Sequence, residues 1–164
     1  MNEKLPEKKK YTIILMMTII AIIGIIDNLY FDELFRGYPT ARIVGNAIRG
    51  ATFAILFRAW LSKLAINWLS KAKQLSFGIS VYYMTLVEFF TTIIYLMVKL
   101  VGNEQISGWV ALICVLAQYP IISYLLVKQG IISKKVGIIF GVIGTVFSVA
   151  ISMLLVILAA NIGN

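Results

Sequence analysis

Histidine is absent from the 164-residue chain, and cysteine occurs once, as Cys114 inside an apolar run. Without histidine, the usual haem, zinc and copper sites and the Ser-His and Cys-His catalytic pairs are excluded. A single cysteine forms no disulfide within the chain and no CxxC redox motif. Glu88 has the chemistry of a general base, but no nucleophile or metal cluster accompanies it. We therefore expect no cofactor, no metal and no enzymatic activity.

Acidic residues are also scarce, with 7 Asp and Glu against 15 Lys and Arg, giving a net charge of +8. The chain is 60% hydrophobic, whereas soluble domains are about 45–50% apolar. This composition indicates an integral membrane protein. A strongly basic soluble protein would suggest nucleic acid as partner, but here the lysines flank apolar segments and orient them. We expect the lipid bilayer to be the partner, and no nucleic acid.

Five apolar segments are each long enough to cross a bilayer, because about 20 residues at about 1.5 Å per residue cover a core of about 30 Å. The sequence predicts an all-α, polytopic membrane helix bundle over residues 11–161, preceded by a cytoplasmic basic tail at residues 1–10. The spans are expected at about residues 11–30, 41–61, 77–98, 108–127 and 136–160. Residues 62–74 form an amphipathic pattern with a basic face after the second span. That segment is expected to lie along the headgroups or to continue the second span out of the bilayer.

The distribution of lysine and arginine predicts the orientation. With a cytoplasmic N-terminus, eleven of these residues fall on the inner side and three on the outer side. The inner set is Lys4, Lys8, Lys9, Lys10, Arg58, Lys63, Lys71, Lys73, Lys128, Lys134 and Lys135, and the outer set is Arg36, Arg42 and Lys99. We expect five spans in the cell membrane, with the N-terminus inside and the C-terminus outside. The basic inner turns are expected to contact anionic lipid headgroups.

The second predicted span carries three polar residues at i, i+4 and i+7, namely Arg42, Asn46 and Arg49, so they share one face of the helix. Counted from the predicted inner ends of their spans, Arg49 and Glu88 lie at the same depth near the middle of the bilayer. We expect a buried ion pair between them. Three interpretations remain open: a pair that fixes helix register, a site for a substrate or protons, or no contact.

Asp27 lies just below the outer end of the first span, near the depth predicted for Asn46. Together with Arg42 and Asn46 it predicts either a polar vestibule that leads to Arg49 or a solvated outer surface. Charges on a solvated surface pair with one another at little gain in stability. The sequence leaves these two interpretations open.

Small residues recur at steps of three and four along the last predicted span. They are Gly137, Gly141, Gly144, Ser148 and Ser152. Such a stripe allows close approach of helix backbones, and packing is what drives helix association in lipid. The stripe is expected to pack either within the bundle or against another subunit.

These features predict a non-catalytic structural or assembly subunit of a larger membrane complex or of a homo-oligomer. Its expected partners are other membrane subunits or a second copy of itself. The alternative is a small oligomeric transporter or channel subunit with a midplane site at Arg49 and Glu88 for protons or small anions. An odd number of spans does not divide into two equal halves, so a transporter of this kind would have to oligomerise to gain repeat symmetry.

Overall fold

The computed structural model describes residues 6–31, 39–70, 74–101 and 104–162. In these ranges the regular structure consists of five helices, with no strand. They are α1 (Glu7–Tyr30), α2 (Thr40–Leu69), α3 (Phe77–Val101), α4 (Glu104–Lys128) and α5 (Lys134–Ile162). The expectation of an all-α fold is confirmed.

Three helices within the described ranges are long and apolar enough to cross a membrane. They are α1, α3 and the Gln105–Lys128 stretch of α4. Lipid-facing surfaces of this kind favour helices because each backbone N–H and C=O is satisfied within the helix. The structure therefore has the character of a membrane helix bundle.

Helix α2 is longer than the predicted second span. It begins directly after Pro39 and runs without interruption for 30 residues to Leu69. No glycine or proline occurs between Gly50 and Leu69, so nothing in the sequence breaks the helix there. Residues 62–69 of the predicted amphipathic segment therefore continue α2, whereas residues 71–73 lie outside the described residues.

Among the described residues, Asn67 joins the last part of α2 to the backbone of Leu75, just before α3. The amide of Asn67 donates to the backbone oxygen of Leu75 at 3.3 Å, and its oxygen accepts from the Leu75 N–H at 2.6 Å. Further from this connection, the buried Ser80 Oγ on α3 donates to the backbone oxygen of Ala59 on α2 at 2.7 Å. These contacts fix the antiparallel register of α2 and α3.

The interior is formed by apolar side chains from all five helices. Helix α3 lies between α1, α2 and α4, while α4 and α5 form an antiparallel pair. Members of the core include Ile20, Ile55, Ile66, Met84, Leu126 and Phe140. In lipid the gain comes from close packing rather than from removing apolar surface from water.

Helix α5 packs on α4 through its glycines. A methyl group added at Gly137 would overlap Val127, and one added at Gly144 would overlap the ring of Tyr119. The hydroxyl of Ser123 on α4 also donates to the backbone oxygen of Gly137.

Gly141 lies between these two glycines and meets α4 at ordinary contact distance. One turn beyond Gly144, Ser148 is buried. The described part of the small-residue stripe thus lies inside the bundle, and the side chain of Ser152 lies outside the described residues.

Candidate functional site

Three polar side chains from three helices meet in the middle of the bundle. Arg58 on α2 donates to Glu88 Oε2 on α3 at 3.1 Å and to Gln118 Oε1 on α4 at 3.2 Å. Gln118 Nε2 donates to the same Glu88 oxygen at 2.8 Å. Each member therefore bonds both of the others, and we refer to Arg58, Glu88 and Gln118 as the central cluster.

The central cluster lies far from both ends of its helices. Glu88 is the twelfth of the 25 residues of α3, and Gln118 is the fifteenth of the 25 residues of α4. Gln118 is buried, while the side chains of Arg58 and Glu88 keep 33% and 26% of their surface exposed. An ion pair at this depth is strongly favoured over two separate charges, because each ion alone would be costly in a low-dielectric surrounding.

Glu88 thus pairs with Arg58, and the predicted ion pair between Arg49 and Glu88 is not formed. Arg49 is exposed, and it makes no hydrogen bond or ion pair with any residue that the structure describes. A difference in depth between Arg49 and Glu88 does not explain why the two side chains fail to pair. Counted from the contact between Ala59 and Ser80, Arg49 lies ten residues toward the N-terminus of α2 and Glu88 eight residues toward the C-terminus of the antiparallel α3, so their backbones differ by only about 3 Å along the bundle.

The rotation of α2 separates Arg49 from Glu88. Arg49 and Arg58 are nine residues apart, which is two and a half helical turns, so they point to opposite sides of α2. Only one of them can face α3.

Side-chain direction adds to this effect of rotation. In a helix side chains lean toward the N-terminus, so Arg58 and Glu88 on antiparallel helices lean toward each other. For Arg49 and Glu88 the same lean moves the guanidinium and the carboxylate further apart along the bundle. The composition of the two faces was the signal available in the sequence: Arg58 shares its side of α2 with Ala51, Ile55 and Ala59, and small residues face neighbouring helices in membranes.

A second ion pair joins α1 to α3. Lys99 Nζ lies 2.5 Å from Asp27 Oδ1. The same ammonium lies 5.4 Å from the ring centroids of Phe31 and Tyr95. The sequence left open whether Asp27 lines a polar vestibule with Arg42 and Asn46 or belongs to a solvated surface, and in the structure its ion-pair partner is Lys99.

Arg42, Asn46 and Arg49 share one face of α2, as their spacing predicts, but all three are exposed, whereas a buried position was expected for Arg49. Three aromatic side chains extend this surface toward the middle of the helix. The rings of Phe53 and Phe57 stack at 5.7 Å, and those of Phe57 and Trp60 lie 6.2 Å apart. Phe53 is 70% exposed. We refer to Asn46, Arg49, Phe53, Phe57 and Trp60 as the outward face of α2.

No protein-family model matches the chain, and no curated protein or solved structure matches it either. In the described ranges, His, Cys, Asp and Glu side chains form no group of three or more that could hold a metal ion. The features that could carry a function are therefore the central cluster, the second ion pair and the outward face of α2.

Proposed function

We propose that this chain is a small multi-pass protein of the cell membrane that acts as a non-catalytic structural or assembly subunit, either of a larger membrane complex or of a homo-oligomer. The observation that carries the proposal is the exposed Arg49. Its backbone lies within about 3 Å of the depth of Glu88, in the middle of the bundle. An arginine exposed to lipid at the bilayer centre costs about 2.5–3.5 kcal/mol on insertion scales, so such residues face protein or water. A neighbouring subunit that packs against Arg49 provides this protein environment in place of lipid.

The central cluster supports a structural role for the polar interior. Glu88 Oε2 accepts from Arg58 and Gln118, and Gln118 Oε1 accepts from Arg58, so each side chain is engaged by the other two. A cluster in which the members satisfy one another fixes the relative positions of α2, α3 and α4. The pair between Asp27 and Lys99 does the same for α1 and α3.

The proposal includes five membrane crossings with the N-terminus in the cytoplasm and the C-terminus outside. Helices α2 and α5 contain 30 and 29 residues, so each is about 45 Å long and exceeds a hydrocarbon core of about 30 Å. Because Arg58 pairs with Glu88 inside the bundle, the free-energy cost of placing this arginine within the bilayer is reduced. Orientation follows from the lysines and arginines, eleven of which fall on the inner side.

Anionic lipid headgroups are proposed as further partners at the inner face. A groove of about 430 Å³ lies between α4 and α5 and is lined by Tyr124 and Lys134 among other residues. The ammonium of Lys128 lies 5.9 Å from the centre of the Tyr124 ring. Lysines at the end of an apolar groove suit a lipid whose chains occupy the groove while its phosphate meets the charge.

The alternative function is that of a small oligomeric transporter or channel subunit for protons or small anions. One observation favours it: Arg58 and Glu88 keep 33% and 26% of their side-chain surface exposed at the centre of the bundle. Carboxylates within membrane spans often take part in proton relays. The proposed midplane site of this alternative is Arg58 and Glu88, in place of Arg49 and Glu88.

Purification from native membranes in mild detergent separates the two functions. A structural subunit is expected to co-purify with other membrane proteins in fixed stoichiometry, or to form a defined homo-oligomer that conducts no ions. Reconstituted into liposomes, it is expected to produce no proton or anion flux above that of empty liposomes. A homo-oligomer whose flux is abolished by Glu88→Gln, and unaffected by the matched change of exposed Arg49→Gln, would establish the alternative.

A further inference from the structure

The outward face of α2 combines one cation with a ridge of aromatic rings. Asn46, Arg49, Phe53, Phe57 and Trp60 are spaced by steps of three and four, and all are exposed. This spacing places them along one line of the helix, as in the seam between two packed helices. The opposite side of α2 is already occupied, because Ile55, Ala59, Ser62 and Ile66 are buried in the bundle.

Arg49 on this face has no carboxylate partner among the described residues, so a partner charge has to come from outside them. Arg49 makes no hydrogen bond or ion pair with any described residue, whereas Arg58 and Lys99 each have a carboxylate within the chain. Its side chain lies over the turn N-terminal to its own Cα, which is about 5.4 Å nearer the outer end of α2. From a backbone position about 3 Å from the bundle centre, that reach falls short of a headgroup region about 15 Å away.

A second copy of the chain does not supply this charge from its described residues. Among the described acids, Glu88 is level with Arg49 and already pairs with Arg58, while Asp27 lies nearer the end of its helix and already pairs with Lys99. Two copies that met through the same face would also bring one Arg49 near the other, and like charges repel strongly where the dielectric constant is low.

We propose that the outward face of α2 binds a transmembrane helix of another protein, and that this helix carries an Asp or Glu level with Arg49. The carboxylate pairs with the guanidinium, which presents a planar fork suited to two parallel hydrogen bonds. Small residues on the partner helix, about one to three turns further along, accommodate Phe53, Phe57 and Trp60. This inference rests on the proposed function and specifies the chemistry of the partner.

A synthetic helix tests the charge requirement directly. The probe is a fluorescent 23-residue Leu-Ala peptide with lysines at both ends and Glu at its centre, together with otherwise identical peptides carrying Gln or Lys. Binding to the full-length protein is measured by fluorescence anisotropy in mild-detergent micelles. The Glu peptide is expected to bind about five- to tenfold more tightly than the Gln peptide, and the Lys peptide least tightly.

Variants of the protein assign the effect to Arg49. Arg49→Gln is expected to make the Glu and Gln peptides bind equally, while Lys63→Gln, which removes another cation of α2, leaves their ratio unchanged. Phe53→Ala is expected to weaken both peptides by a similar factor, because it removes packing and no charge. Circular dichroism and size-exclusion profiles matching the wild type establish that each variant is folded.

The inference and the proposed function can fail separately. Equal affinity for the Glu and Gln peptides in the wild-type protein overturns the inference, as does a preference for Glu that survives Arg49→Gln. A stoichiometric native complex that is unaffected by Arg49→Gln also overturns it, yet leaves the role as a subunit intact. A protein that purifies alone and conducts ions overturns the proposed function itself.

Discussion

The central cluster leads to a quantitative prediction about the cost of separating Arg58 from Glu88. Glu88→Leu leaves the guanidinium with Gln118 as its remaining cluster partner, and so without a counter-charge. Removing one partner of a buried ion pair costs about 3–5 kcal/mol in the free energy of unfolding. Because the two side chains are 33% and 26% exposed, we expect a smaller cost, of about 2–3 kcal/mol.

The double variant Arg58→Leu/Glu88→Leu is expected to be less destabilised than the sum of its single changes. Removing both charges leaves no uncompensated ion, whereas each single change does. The coupling in a double-mutant cycle should be about 1–2 kcal/mol, which is within the range found for residues in direct contact. Equilibrium unfolding in mixed micelles at increasing SDS fraction, followed by helical circular dichroism, measures each free energy.

Arg49→Leu is the matched control for this cycle, since it removes an arginine from the same helix. Arg49 has no ion-pair partner among the described residues, so the isolated protein should change in stability by no more than about 0.5 kcal/mol. Combined with Glu88→Leu it should show no coupling. Additive costs for Arg58 and Glu88, or coupling that appears with Arg49 instead, would refute the reasoning about side-chain direction in α2.

Three further predictions concern the other contacts of the bundle and use the same unfolding assay. Asp27→Asn should cost about 0.5–1.5 kcal/mol, and exchanging the charges as Asp27→Lys with Lys99→Asp should restore part of the loss; no restoration would mean that the pair is not formed. Gly144→Ala should cost about 1–3 kcal/mol because the added methyl overlaps a ring of α4, whereas Gly45→Ala, with open space around it, should be neutral or stabilising; equal effects would contradict the close approach of α5. Asn67→Ala should cost about 1–2 kcal/mol, because two hydrogen bonds to the backbone between α2 and α3 are lost, and an unchanged stability would argue against that connection.

The sequence was sufficient to predict helices, because their hydrophobic segments are long and bounded by polar turns. The third span was expected at residues 77–98 and α3 occupies Phe77–Val101; the fourth was expected at 108–127 and α4 occupies Glu104–Lys128. The end of α2 was less predictable, since Leu61–Leu69 is amphipathic and continues the helix without any breaking residue. Amphipathic patterns are compatible with both a separate surface helix and an extended span.

The partners within the site were harder to predict than the helices. Depth along a helix follows from counting residues, which predicts Glu88 near the middle of its helix, whereas the choice of its partner depends on helix rotation and side-chain lean. Rotation separates Arg49 from Arg58 by half a turn, and packing against α3 decides which of them turns inward. Gln118 completes the central cluster from α4, 30 residues beyond Glu88, and no local pattern in the sequence indicates that contact.

The most direct test of the account is photo-crosslinking from Phe53 in native membranes. Phe53 is 70% exposed and lies one helical turn from Arg49, so benzoylphenylalanine at this position probes the outward face of α2 while keeping the arginine. We expect a discrete adduct with one other membrane protein, lost when Arg49→Gln is added, and none from the same group at Ile14 of α1, which is 62% exposed. Adducts with lipid alone, or protein adducts that form equally from both positions and persist without the arginine, would contradict the claim that Arg49 lies at a subunit interface.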